Sequence, residues 1–161
     1  MIPVKEIVAP TDFSDASKEG LRAAVDLAKH FSASIHLVHV VAPIPEFMGA
    51  HAPTGFHIPS VLKELEEGAR SSLKELIDEE LPGDITIDSK VFTGDPATEI
   101  VTLAADVGAD LIVMATHGTT GFKRLVTGSV TEKVIRYSKV PVLSVRGSED
   151  EEDTGRERSS K

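Results

Sequence analysis

Between Asp110 and Thr131 the chain reads D-L-I-V-M-A-T-H-G-T-T-G-F-K-R-L-V-T-G-S-V-T, and these residue types at this spacing could hold an anion. An apolar run, Leu111 to Ala115, gives way to a polar loop with glycines at 118, 121 and 128, and a helical pattern begins at Gly128-Ser129. A strand that passes through such a loop into a helix start aims several backbone N–H groups, and the positive end of the helix dipole, at one spot. Phosphate suits that cradle. Loops contain glycine routinely, so Gly118, Gly121 and Gly128 inform only through their place after a buried strand and before a helix. His117 could act as a general acid or base, yet no paired carboxylate or nucleophile is assignable to it. Lys123 and Arg124 could lean toward phosphates or remain a solvated loop pair.

A second candidate lies upstream. The apolar run Val4 to Ala9 is stopped by Pro10-Thr11-Asp12, and Ser14 follows at the head of a helical pattern. Taken alone, Asp12 and Ser14 fit a turn residue and a helix cap, places these side chains favour. His51 and His57 have no neighbouring carboxylate or cysteine to complete a metal site, so they read as loop histidines.

Composition narrows the classes these residues can serve. With 161 residues and 40 % apolar content, the chain is long enough for one domain with a substantial core and too short for two. It has no cysteine, which excludes disulfide scaffolds, thiolate metal sites and thiol nucleophiles. The formal net charge of −9 opposes a nucleic-acid or anionic membrane surface, so no nucleic acid and no membrane is expected as a partner. Any phosphate must be held locally, by geometry. The opening M-I-P-V-K-E-I-V-A-P lacks the basic start and long apolar core of a signal peptide, and no apolar run nears membrane-spanning length. The expectation is a cytoplasmic soluble protein.

Five segments read as strands: Val4–Ala9, Ser34–Val41 closing on His39-Val40-Val41, residues 84–92, Leu111–Ala115, and Val140–Arg146. Pro141 is tolerable only near a strand start or on an edge. Four helices lie between the strands. The first runs from the Ser14 cap through about residue 31 with Leu21, Ala24, Val25 and Ala28 on one face, and close packing on the sheet explains Gly20 within it. Residues 42–58 form an irregular excursion, after which Pro59 opens the second helix. Its stripe is Leu62, Leu65, Ala69, Leu73, Leu76 and Ile77, Glu66 and Arg70 form a surface pair, and Leu81-Pro82-Gly83 stops it. Asp95 caps the third helix, Pro96 takes its first position, Ile100, Val101, Ala104 and Ala105 face inward, and Gly108 ends it. The fourth spans about Ser129 to Ser138. The acidic tail 147–161 has no apolar residue and is expected to be disordered, which leaves 1–146 as the domain.

Strand and helix alternating at this spacing imply parallel pairing through right-handed crossovers, hence a single doubly wound α/β domain with helices on both faces. Ligands in such sheets bind at the carboxyl ends of the strands, beside the point where strand order reverses. The Pro10-Thr11-Asp12 turn and the 115–129 loop then become two walls of one crevice.

Ordered motifs now add a resemblance. P-T-D-F-S after the first strand, H-V-V at the end of the second, G-D-P-A-T-E-I opening the third helix, and A-T-H-G-x9-G-S-V-T-E-K-V followed by V-P-V-L-S-V resemble the universal stress protein family, over nearly the whole chain to residue 146. The resemblance implies a Rossmann-like domain with a five-stranded parallel sheet of order 3-2-1-4-5 and a homodimer joined through the last strand, 140–146. It also implies one branch that binds ATP and another that does not. The ATP-binding pattern G-x2-G-x9-G-[S/T] is met here as A-x2-G-x9-G-S, with Ala115 in place of the first glycine and Gly118, Gly128 and Ser129 in register. Carried onto these positions, Asp12 would accept hydrogen bonds from ribose hydroxyls, and the Val40 backbone would meet the adenine edge beside Pro10. Gly118 would let the chain approach the phosphates, and the N–H groups of Ser129 and Val130, with the Ser129 hydroxyl, would hold them. Thr11, Met114, His117, Gly121 and Thr131 complete the implied set, with Mg2+ bridging phosphate oxygens. Alanine at 115 adds a methyl and loses freedom at positive φ. The implied function is an ATP-binding stress-response module acting as a dimer; the alternatives are a nucleotide-free dimeric interaction protein and a slow ATPase. No catalytic residue and no protein metal ligand is assigned.

Overall fold

Short apolar runs form strands here because both faces of the sheet are covered, and the helical stripes supply the cover. The computed structural model describes residues 3–44, 57–81, 83–116 and 129–146. The chain runs β1 (Glu6–Pro10), α1 (Asp15–Phe31), β2 (Ser34–Val41), α2 (Ile58–Glu80), β3 (Ile87–Thr93), α3 (Pro96–Asp106), β4 (Leu111–Ala115), α4 (Ser129–Tyr137) and β5 (Val142–Val145). All strand pairs are parallel and the order is β3-β2-β1-β4-β5, the expected doubly wound arrangement. The expectations for the excursion at 45–56, the loop at 117–128 and the tail at 147–161 lie outside the described residues. Among the described residues no helix is long and apolar enough to cross a membrane.

Alternation along each strand divides the core in two. Ile7, Ala9, Ile35, Leu37 and Val113 pack with Leu21, Ala24 and Ala28 of α1 and Leu73 and Leu76 of α2. On the opposite face Val8, Val38, Ile112 and Met114 pack with Ala97, Ile100, Leu103 and Ala104 of α3 and Val134 of α4. Each face therefore carries two helices.

Local signals explain most helix ends. Ser14 caps α1 by accepting the Ser17 N–H at 3.1 Å. Asp95 caps α3 by accepting the Thr98 N–H at 3.0 Å, Pro96 opens it, and Gly108 follows it at φ 63°, where a side chain would be strained. Two expected inward positions turn out instead to face away. Leu65 is 47 % exposed, whereas Ala69, Leu73 and Leu76 further along the same stripe are buried: α2, at 23 residues or roughly 35 Å, is longer than the strands it covers, and its burial is confined to its later turns. Ala105 is exposed and Leu103 is buried, since the stripe through Ala97, Ile100 and Ala104 is centred away from Ala105 at 100° per residue. Strand ends shift as well. β1 closes on Pro10, opposite Val38, because the neighbouring N–H that bonds to Val38 O, at 2.9 Å, belongs to Thr11. β3 starts at Ile87, after turn residues 83–85.

Candidate functional site

β1 lies between β2 and β4, so the chain leaves its carboxyl end toward one side while β4 and β5 stand on the other. That reversal puts the turn after β1 beside the end of β4 at one edge of the sheet, and α4 is the next described element after β4.

The turn after β1 is held by its own side chains. Thr11 and Ser17 are buried, 6 % and 5 % exposed, and their hydroxyls lie 3.0 Å apart. Ser17 Oγ donates to the Ser14 carbonyl at 2.8 Å, so the Thr11 hydroxyl must donate to Ser17, since each hydroxyl has one proton. Thr11 Oγ1 in turn accepts the Phe13 N–H at 3.0 Å. Asp12 Oδ1 accepts from the Ser14 N–H at 3.1 Å and the Ser14 hydroxyl at 2.5 Å, which makes an Asx turn. Between these contacts Phe13 adopts φ 65°, a left-handed conformation that costs a bulky residue on the order of 1–3 kcal/mol. His39, at the end of β2, places Nδ1 2.9 Å from the Thr11 carbonyl oxygen and its ring 4.5 Å from that of Phe13. The turn residues named from sequence are thus brought together, but Thr11 and Ser14 spend their hydroxyls inside the turn.

β4 ends in a tightly enclosed residue. Met114 and Ala115 are 6 % and 8 % exposed. Ala115 lies in extended strand, and the described non-glycine residues with positive φ are Phe13 and Ser32 only, so alanine incurs no backbone strain at the position where the family pattern has glycine. Val113 faces α1 and Met114 faces α3, so alternation sends the Ala115 methyl to the α1 side. There α1 comes very close: a Cβ on Gly20 would stand 2.9 Å from Ala115 N and 3.2 Å from the Met114 carbonyl carbon. Thr131, 4 % exposed, donates its hydroxyl to the Ala115 carbonyl at 2.9 Å, and Thr116 N–H bonds to Val145 O at 2.8 Å. The Thr131 side chain therefore ties the start of α4 to the end of β4.

Two further features complete the edge. Val38 O is taken by β1 through Thr11 N–H, and Val40, two residues on, turns its N–H and C=O to that same side beyond the last β1 rung, Pro10 with Val38. The α4 start, Ser129 to Thr131, brings the N–H groups of a helix N-terminus, and Val130 packs into the α3–α4 core. Nearby, Lys133 Nζ lies 3.4 Å from Asp95 Oδ2 and links the starts of α3 and α4. The Thr98 hydroxyl and N–H, then Lys133, hold the Asp95 carboxyl below the usual carboxylate range. His117, Gly118, Gly121 and Gly128 lie outside the described residues. Among the described residues no group of three His, Asp or Glu side chains is arranged to hold a metal ion.

This edge offers a carboxylate in a rigid turn, a backbone edge and a helix N-terminus, the means to bind a polar ligand with an anionic end. Sequence reading did not single out Phe13, Ser17 or the His39 side chain. The available signal was the dipeptide His39-Val40 closing an apolar strand with a ring that must find a polar partner.

Comparison with known proteins agrees with this fold. A match to the Universal stress protein family spans residues 3–146. Universal stress protein MJ0531 of Methanocaldococcus jannaschii is 40 % identical over 143 residues, covering 88 % of this chain and 82 % of that protein. The solved structure of protein MJ0577, from the same organism, superposes with a TM-score of 0.78 at 30 % identity, covering 90 % of this chain and 97 % of that one. A universal stress protein solved in complex with cAMP superposes at 0.60 with 25 % identity, covering 91 % and 99 %.

Proposed function

Because the chain belongs to the universal stress protein family, we propose that it binds an adenine nucleotide, ATP with Mg2+, at the carboxyl edge between β1 and β4. The observation that carries this reading is the Thr131–Ala115 bond, which sets the N-terminus of α4 across the switch point from the Asp12 turn. In this reading Asp12 accepts from ribose hydroxyls, and Val40 offers the base one donor and one acceptor in line beside Pro10. The N–H groups of Ser129 and Val130 receive phosphate, with Gly118, Gly121, Gly128 and His117 in the connecting loop. Mg2+ is held largely through phosphate oxygens and water, which needs few protein ligands. A relative in complex with cAMP supports the nucleotide class. The role is a cytoplasmic binding and signalling module of the stress response, formed by the domain 1–146 with 147–161 as its tail.

Calorimetric titration of nucleotide-free protein with Mg-ATP is expected to give saturable heat, and Asp12→Ala to weaken binding about tenfold, the worth of a hydrogen bond to a charged group. No heat at millimolar ligand would overturn the reading.

We propose further that two copies join through β5 and its flanks, residues 140–146. β5 is an edge strand, Leu143 on it is 40 % exposed, and Ile135 and Tyr137 on α4 are 50 % and 64 % exposed. An open edge with large apolar side chains beside it calls for cover. Light scattering at micromolar concentration is expected to give the dimer mass; a monomer alone would remove this part.

A further inference from the structure

We infer that His39 is a positioning residue of the nucleotide site: it fixes the Thr11-Asp12-Phe13 turn so that Asp12 distinguishes ligands that carry ribose hydroxyls from ligands that lack them. The inference rests on the nucleotide reading above and extends it to a residue that touches the turn instead of the ligand.

Three ties converge on that turn. The Thr11 carbonyl can only accept, so His39 Nδ1, 2.9 Å away, carries the proton. The imidazole lies against the Phe13 ring with centroids 4.5 Å apart and planes inclined by 32°. The Phe13 N–H is held on Thr11 Oγ1 at 3.0 Å. Asp12 sits between the two residues that His39 grips, and Phe13 at φ 65° is in a conformation that a bulky side chain keeps only when its surroundings enforce it. Released from His39, the turn has an easier alternative, and the direction of the Asp12 carboxylate goes with it. The neighbouring Val40 presents its backbone past the end of β1. One dipeptide therefore governs both ends of a nucleoside: His39 sets the ribose contact through the turn, and Val40 meets the base directly.

The two ways His39 acts on the turn can be separated by substitution. His39→Phe keeps a ring against Phe13 and removes the donor; His39→Asn keeps an N–H near the position of Nδ1 and removes the ring. Each folded protein, checked by circular dichroism and thermal midpoint, is titrated with Mg-ATP and with Mg-2′,3′-dideoxy-ATP. Wild type is expected to prefer ATP by about tenfold, as one hydrogen bond to a charged group allows. His39→Phe is expected to lose that preference by weakening ATP alone, with dideoxy-ATP affinity unchanged, and His39→Asn to retain it. A packing role would weaken both ligands together. If wild type discriminates and folded His39→Phe discriminates equally, the inference falls and the nucleotide reading stands. Equal binding of both ligands by wild type has the same result. If wild type binds neither, the reading falls and the inference with it. Should His39→Phe not fold, His39→Leu, which also lacks the donor, decides: preference lost by weakening ATP alone supports the inference, and preference kept overturns it.

Discussion

Gly20→Leu is expected to lower the unfolding free energy by about 3 kcal/mol, the upper part of the range for overpacking a filled core. Glycine inside a helix ordinarily costs stability relative to alanine, by about 1 kcal/mol, so a substitution there would normally help. Here a Cβ would meet backbone, 2.9 Å from Ala115 N, and backbone in a central strand cannot swing aside as a side-chain tip can. Either α1 moves off β4 or β4 bends, and in both cases Leu21, Ala24 and Val113 lose packing. Gly68 in α2 is the internal control, because a Cβ there meets nothing within 4 Å. Gly68→Ala is expected to gain roughly 0.5–1 kcal/mol from helix propensity and reduced chain entropy. Urea unfolding followed by circular dichroism reads both as midpoint shifts with an unchanged slope. A wild-type midpoint for Gly20→Leu would mean that α1 and β4 are not in close contact.

The second large effect is expected at Thr131. Valine has nearly the shape of threonine but no donor, so Thr131→Val leaves the enclosed Ala115 carbonyl without the hydroxyl that reaches it at 2.9 Å. The cost of an unmet buried acceptor is about 2 kcal/mol. The loss is local: α4 has nine residues, is anchored in the core chiefly through the fully buried Val134, and is too short to persist without that anchoring. Hydrogen exchange should therefore quicken in α4 before β1 or β2, and Thr131→Ser, which restores the hydroxyl, should return most of the protection. On the proposed nucleotide reading, Mg-ATP affinity is expected to fall with Thr131→Val, because the N–H groups proposed to receive phosphate belong to the turn that Thr131 pins. Equal exchange rates in α4 for wild type and Thr131→Val would show that the tie does not hold the helix.

Sequence resolved features whose cause is local. Asp95-Pro96 at the head of α3 and Gly108 after it act through neighbours within one helical turn, and both take the roles their types predict. Alternation of apolar runs with helical stripes was enough for a parallel sheet, and the ordered motifs for its strand order. Gly20 was readable as a close approach, though not against which strand. Leu65 misled because periodicity reports which face of a helix is apolar and not how much of its length is covered. The ties that shape the site span long separations: His39 reaches Thr11 across 28 positions and Thr131 reaches Ala115 across 16. Such pairs follow from strand register, which no local pattern carries. For the same reason Ala115 looked like a loss when compared with a glycine pattern. Its extended conformation on the α1 side of the sheet shows that glycine's special freedom is not needed there.

Every helix in this fold follows a strand and runs back along the sheet, so all four begin at the same rim. The partial positive charge of a helix start fades within about one turn, and salt screens beyond about 8 Å, so the attraction at that rim is short-ranged. The formal charge of −9, by contrast, belongs to the whole chain. A bound mononucleotide would lie mostly inside the attractive zone, whereas a nucleic-acid strand laid across the rim would extend past it and meet a chain of net negative charge. On the proposed nucleotide reading, the architecture is therefore expected to sort anions by length, favouring single nucleotides over polymers of the same units.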